Sequence, residues 1–346
     1  MINIAFVLAL AVLLTAFLWW GFKKLPKEES QIFAAMPLRK KDAQSWDGVN
    51  LTYYGILIAS AQVFAVAIMT TLMGALCSPW YETFLFVAIL LGVCVPASRA
   101  VAKIVEKKTA TFTVGGASFI GMLLAPFVIP AANLTICGGL PVVPCIAAMA
   151  ISYAYGEGIG RLACISFGCC YGKPLAGCGP FVRKLFLRRS FVFTGKTKKI
   201  AYESGLDDQK VIPIQAITSI IYVSTGLVST IFFLEGLYGW SLIVGVCCTQ
   251  GWRFISEILR ADFRGRGRLS AYRIMSLLLV SYPFFIIALF PADAHLLPDI
   301  VQGLKEIVNP FLILSLQGIW LIVFIYLGRS RVTGSTISFY VHKDRI

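Results

Sequence analysis

Four charged side chains stand inside otherwise apolar stretches of the chain, and they fall into two pairs. Glu157 and Arg161 are four residues apart in GEGIGRLACISFGCCYGKP (156–174), and Arg253 and Glu257 are four apart in QGWRFISEILR (250–260). On a helix each pair shares one face. Either each helix neutralises its own charge, or the two guanidinium groups, with Arg260 three residues after Glu257, converge on an anion. The planar fork of arginine donates two parallel hydrogen bonds to a phosphate. In a bilayer the anion always at hand is a phospholipid headgroup. The first stretch also carries Cys164, Cys169 and Cys170, with Cys178 beyond, four thiols over fifteen residues. Their spacing is not that of a zinc ribbon, and no second Cys-x-x-Cys pair exists. A metal set, a redox or acyl-carrying thiol and small, adaptable packing residues are the readings weighed; packing is preferred, and no metal or cofactor is expected. Gly156, Gly158, Gly160, Gly168 and Gly172 let backbones approach closely and let the chain leave helical geometry, which at membrane depth requires burial in protein or a cavity.

The elements that must position these groups follow from composition. The chain has 346 residues, 58% hydrophobic and 14% charged, with a mean hydropathy of +0.79, outside the range of soluble domains. Crossing the hydrocarbon takes about 20 apolar residues. Runs of that kind recur near 2–22, 50–77, 83–98, 111–132, 141–165, 213–234, 236–258, 274–292 and 310–328. The expected fold class is an all-α polytopic membrane protein of about nine (eight to nine) transmembrane helices. Residues 1–22 are followed by Lys23 and Lys24, with the basic residues after the apolar core rather than before it, so the run reads as an uncleaved anchor. Trp19, Trp20, Tyr53, Tyr54, Trp80 and Tyr81 sit at span ends, as an aromatic belt would. Residues 48–328 form the main transmembrane domain and 329–346 a basic tail. The segment 173–210 is an insertion whose alternating aromatic and basic residues suggest strands or an amphipathic helix at the membrane surface.

The formal charge is +14, and its distribution decides what that means. The segments 23–41, 99–108, 173–210, 260–273 and 329–345 hold 28 of the 31 Lys and Arg, and all follow odd-numbered spans. They therefore lie on one side. The positive-inside rule places the amino terminus outside and the carboxyl terminus in the cytoplasm of a cell (plasma or inner) membrane. This argues against a nucleic-acid partner and for anionic lipid headgroups. Cys137 and Cys145 fall on the opposite side, where a disulfide can form.

Four segments, in order, resemble the prolipoprotein diacylglyceryl transferase family. GIGRLACISFGCCYGKP is similar to the motif G-R-x-G-N-F-x-N-x-E-x-x-G through Arg161 and Gly172. GGASFIG (115–121) is similar to G-G-x-S-F-H-G, VIPIQA (211–216) to H-P-x-Q-L through Pro213 and Gln215, and RFISEILRADF (253–263) to R-F-x-x-E-x-x-R through Arg253, Glu257 and Arg260. The family's histidines fall on Ile120 and Ile212, its asparagine on Cys164 and its motif glutamate on Cys169. The chain's two histidines, His295 and His342, lie outside the spans.

The resemblance implies transfer of a diacylglyceryl group from phosphatidylglycerol, or another anionic phospholipid, to the lipobox cysteine of a prolipoprotein signal peptide, with release of glycerol phosphate. Arg161 and Arg253 would clamp the phosphate and Glu257 would hold Arg253. Glu157, or a cysteine thiolate beside Arg161, would serve as base. Gly116, Ser118, Gly172, Gln215, Arg260, Cys164 and Cys169 would contact substrate. In the family the arginine motif opens to the outer face, whereas the charge pattern turns it towards the cytoplasm. A related lipid transferase with another acceptor, and a non-catalytic lipid-binding or transport protein of the same fold, are the alternatives.

Overall fold

Hydrocarbon offers no partner to backbone N–H and C=O groups, so each apolar run must satisfy its own as a helix. A computed structural model describes residues 1–105, 114–135, 138–261, 270–290 and 296–346. Among the described residues, nine helices are long and apolar enough to cross a membrane. They are α1 (Ile2–Lys24), α2 (Tyr53–Gly74), α3 (Trp80–Val105), α4 (Val114–Thr135), α5 (Val142–Phe167), α8 (Ile214–Leu234), α9 (Tyr238–Leu259), α10 (Ala271–Leu289) and α12 (Pro310–Gly328). Three short helices complete the set: α6 (Pro180–Phe186) and α7 (Lys199–Ser204) in the insertion, and α11 (Ile300–Ile307) before the last span. The all-α polytopic class read from the sequence is the fold observed.

The helix that carries Glu157 and Arg161 is the centre of the bundle. α5 packs against α2, α8 and α9, and 72% of its most apolar window is buried, against 17% for α1 and α12. Its apolar residues therefore cover protein, and those of α1 and α12 face lipid. α1 is nevertheless part of the bundle. It packs on α8 and α5, and Asn3 Nδ2 donates to the carbonyl of Leu234 at 3.2 Å.

Two features differ from the sequence reading. The basic segments 23–41 and 329–346 contain strands, β1 (Ile32–Lys40) and β5 (Arg329–Ser338), which flank β2 (Ser45–Thr52) in an antiparallel sheet. Met36 pairs with Val49 and Gly48 with Ser335. Strands at the two ends of the sequence meet only through the tertiary fold, so no local pattern announces them. Their exposed edges carry Pro37, Arg39, Lys40, Arg329 and Arg331, residues that discourage further pairing. Tyr54, expected in the aromatic belt, instead packs at 5.6 Å on Phe167, at the end of α5. Trp19 and Trp20 do face outward, with Lys23 Nζ 5.2 Å from the Trp19 ring.

The insertion contains both kinds of element the sequence suggested, α6 and α7 together with the two-residue strands β3 (Phe191–Val192) and β4 (Lys210–Val211). It is pinned to the end of the bundle. Phe191 packs on Phe22 at 6.2 Å, the Thr194 N–H donates to Pro26 O at 3.2 Å, and Gln31 exchanges hydrogen bonds with Thr197. Thr52 Oγ1, where β2 enters α2, bonds the Gly328 carbonyl at 3.0 Å, where α12 enters β5. The basic stretches on these elements thus gather at one end of the molecule, as the alternation of charge implied. Cys145 is buried. Cys137 and His295 lie outside the described residues, as do 106–113 and 262–269 within two of the basic segments.

Candidate functional site

The site begins where α5 stops. Gly168 takes the left-handed conformation at φ 73°, and the N–H groups of Gly168 and Cys169 both return to the Cys164 carbonyl, at 2.9 and 3.0 Å. This is a glycine-terminated helix end, in which the chain folds back over the last turn. The reversal brings Cys169 and Cys170 over Cys164, so that the three sulfurs lie within 4.8 Å of one another. Cys170 itself has φ 58°, a conformation that costs a non-glycine residue about 1–2 kcal/mol. It keeps its sulfur turned into the cluster.

Beyond the cysteines the chain forms a seam of backbone hydrogen bonds. The Lys173 N–H donates to Leu259 O at 3.0 Å, Ala261 N–H to Tyr171 O at 3.1 Å, and Ile212 N–H to Lys173 O at 3.0 Å. Gly172 therefore bridges to Arg260 on one side and faces Ile212 on the other. A Cβ at residue 172 would stand 2.4 Å from the Ile212 carbonyl oxygen, so only glycine fits. The seam fixes how the end of α9 meets the start of α8.

These elements enclose a narrow cavity of about 20 Å³, lined by Arg161, Cys170, Gln215, Thr218, Tyr222, Arg253, Ser256, Glu257 and Arg260. That is room for roughly one water molecule. Arg161 is ion-paired with Glu157 one turn earlier on α5, and both side chains are about nine-tenths buried. Its Nε is buried with no hydrogen-bond partner among the described residues. Arg253 Nη1 donates to the Tyr153 hydroxyl at 3.4 Å. Gln215, 1% exposed, donates through Nε2 to Cys169 O at 2.9 Å, and its Oε1 is likewise buried without a partner among the described residues. Trp252 Nε1 holds Thr218 Oγ1 at 3.0 Å, and the Tyr222 hydroxyl donates to Thr249 O at 2.9 Å.

The expected residues thus divide. Arg161, Gln215, Arg253, Glu257 and Arg260 meet at one cavity. Cys164 and Cys169 stand behind Cys170 in its wall, and Gly172 sets the seam beneath Arg260. Glu157 reaches the cavity only through Arg161. Gly116 and Ser118 lie in the first turns of α4 and are not among the lining residues. One expected pairing is replaced: among the described residues no ion pair joins Glu257 to Arg253, and the Glu257 carboxylate instead accepts from Ser270 at the start of α10.

Tyr153, Tyr222, Thr218, Ser256 and Lys198 were not singled out by the sequence. Tyr153 on α5 and Tyr222 on α8 meet, ring centroids 6.0 Å apart, only once the two helices pack. Lys198 Nζ caps two helix ends, donating to Leu25 O at 3.1 Å and Ser166 O at 2.7 Å. Burial lowers its pKa to about 8, and the nearby Glu28 carboxylate opposes that shift. The Cys170 thiol is held well below its ordinary range, first by hydrogen bonds from Cys164 and Cys169 and then, against desolvation, by the guanidinium charges of Arg260 and Arg161. A polar corner lined by three guanidinium groups and a carboxylate can bind a phosphate ester and stabilise the charge that develops when the bond beside it breaks.

A family model for prolipoprotein diacylglyceryl transferase matches residues 43–290, a stretch that runs from β2 through α10 and contains every residue of the cavity. No curated protein matches the chain.

Proposed function

Since the chain belongs to the prolipoprotein diacylglyceryl transferase family, we propose that it moves a diacylglyceryl group from phosphatidylglycerol to a cysteine thiol of a prolipoprotein. The observation that carries this reading is the convergence of Arg161, Arg253 and Arg260 on a single cavity in which, among the described residues, Glu257 is the one acidic lining residue. In the proposed reaction the acceptor sulfur attacks the glycerol carbon that bears the phosphate. The carbon–oxygen bond breaks, its electron pair stays on the phosphate oxygen, and glycerol phosphate leaves. The negative charge that grows on that oxygen is what the guanidinium groups stabilise. Glu157 acts as a positioning residue, fixing the Arg161 fork. Glu257 lines the cavity and Glu157 does not, so Glu257 is the better placed to take the thiol proton.

The test uses membranes containing the chain, phosphatidylglycerol labelled in its diacylglycerol part, and a lipobox peptide. Labelled thioether should form, and Arg161→Ala or Arg253→Ala should slow it by about a hundredfold. Turnover at the unchanged rate in both variants would overturn the reading.

A second reading concerns the acceptor, and it is favoured by the gathering of basic segments at the end of the molecule that holds the cavity. If that end faces the cytoplasm, the acceptor is not an exported cysteine and the chain is a transferase with another thiol or hydroxyl acceptor. Lys196→Cys, exposed in the insertion, decides the matter. Labelling by an impermeant maleimide in intact cells supports the lipobox acceptor. Labelling only after the cells are opened removes it.

A further inference from the structure

The cysteine cluster is not needed for the chemistry just described, and its surroundings do not suit a packing role. Packing cysteines sit among apolar side chains. Cys170 instead shares the cavity wall with Arg161 and Arg260, the sulfurs of Cys164 and Cys169 lie within 4.8 Å of it and of each other, and the Cys169 carbonyl accepts from Gln215. We infer that Cys164, Cys169 and Cys170 form a three-thiolate site for a zinc ion whose fourth coordination position opens into the arginine cavity.

Three observations support this. The first is distance. Sulfurs on one tetrahedral zinc, each about 2.3 Å from the ion, stand about 3.8 Å apart, and the three sulfurs here already lie within 4.8 Å of one another. Closing the set takes shifts of less than about 1 Å, within side-chain rotation. The second is charge. Three thiolates and a divalent cation leave one net negative charge, and two arginines face it. The third is the pair of buried polar atoms, Gln215 Oε1 and Arg161 Nε, that have no hydrogen-bond partner among the described residues. Both belong to residues of the cavity wall that Cys170 shares, and a ligand in the fourth position would give them something to bond. Thiolates select zinc, copper(I) and iron–sulfur centres over hard cations; three protein ligands and one open position is the arrangement of a catalytic rather than a structural zinc.

Linear spacing hides such a site. The ligands are not a Cys-x-x-Cys pair but one residue on the last turn of α5 and two beyond a left-handed glycine. The use of the fourth position rests on the transferase reading above. An acceptor thiol that binds zinc gives up its proton, to Glu257 or to water, and keeps a lone pair on sulfur that can attack carbon. No oxidant or reductant is involved.

The experiment uses the full-length chain, purified in detergent under reducing conditions without chelators. Elemental analysis should find about one zinc per chain. Replacement of zinc by cobalt(II) should give the thiolate-to-metal charge-transfer absorption and the visible bands of a tetrahedral site. Adding N-acetylcysteine amide should shift those bands as its sulfur takes the open position. Cys164→Ser combined with Cys169→Ser should lower the zinc content at least tenfold, whereas Cys178→Ser and Cys248→Ser should leave it unchanged. Folded protein without metal and without a cobalt spectrum overturns the site, and so does zinc that survives the double substitution. Iron, or a disulfide between two of the three cysteines, also overturns it. If the double variant does not fold, the cobalt spectrum of the unaltered chain still decides. These readouts require no turnover, so the zinc site can stand if the transferase assay fails, and the reverse.

Discussion

Gln215 holds Cys169: its Nε2 donates to the Cys169 carbonyl at 2.9 Å, so the first turn of α8 fixes the residue that follows the end of α5. The other side-chain atom, Oε1, is buried and makes no hydrogen bond within the described residues. Losing the bond to Cys169 costs about 1 kcal/mol, and removing the orphaned oxygen returns part of that. Gln215→Met should therefore lower thermal stability in detergent only slightly. The same change should slow diacylglyceryl transfer by tenfold or more, because an oxygen facing the cavity is lost and Cys169 is released. A large fall in melting temperature with normal turnover of the remaining folded protein would make Gln215 a purely structural residue.

Arg161 and Glu157 allow charge neutralisation to be separated from ligand binding. Removing one partner of a buried ion pair leaves an uncompensated charge, at about 3–5 kcal/mol, whereas removing both is often nearly neutral. Arg161→Met and Glu157→Gln should each be strongly destabilising, and the double variant should recover most of the stability. Its activity should not recover, since the guanidinium group that faces the cavity is gone. Recovery of both in the double variant would reduce the pair to helix-internal neutralisation.

The parts of this molecule legible in the sequence are those set by local chemistry. Nine spans could be read because hydrocarbon requires long apolar runs, and the Arg161, Arg253, Gln215 and Arg260 positions because four short segments resemble one family in order. The four thiols stood out as a group in the sequence, but the convergence of three of their sulfurs could not be read. It is made by a left-handed turn at Gly168, and spacing along the chain does not report a reversal of direction. The sheet escaped for a related reason: Gly48 pairs with Ser335, across nearly the whole sequence. The expected Glu257–Arg253 pair followed correctly from helical spacing, but α10 offers Ser270 to the carboxylate and Tyr153 on α5 accepts from the arginine. Tertiary partners displaced a local one.

Lys198 gives a pH dependence with a definite sign. Its pKa is about 8 in the folded protein against an ordinary 10.5. Between these values the unfolded chain binds more protons than the folded one, so stability rises with pH. The rise should be on the order of 3 kcal/mol in total, from about pH 8 to about pH 10.5. Below pH 8 the ammonium is charged in both states and the cost of burying it is present in full. Unfolding in detergent followed across this range should show the rise in the unaltered chain and a much flatter curve in Lys198→Met. Parallel curves would mean that the Lys198 ammonium is not the titrating group.

Gly168 carries two constraints that can be told apart by substitution. Its φ of 73° is left-handed, and a Cβ would stand 3.0 Å from Lys198 Cβ, the residue that caps the ends of α1 and α5. Backbone strain alone makes alanine cost about 1–2 kcal/mol and asparagine less, because asparagine tolerates the left-handed region. Crowding against Lys198 alone reverses that order, since asparagine is the larger. Melting temperatures should fall in the order glycine, asparagine, alanine if the conformation dominates, and Gly179→Ala, where nothing lies within 4 Å of the added carbon, should leave the value nearly unchanged. Strain is expected to win, because a movement of a few tenths of an ångström at the Lys198–Ile200 segment relieves the contact while the two hydrogen bonds to the Cys164 carbonyl hold φ where it is. If asparagine proves worse than alanine, the end of α5 is set by packing from the insertion rather than by its own turn.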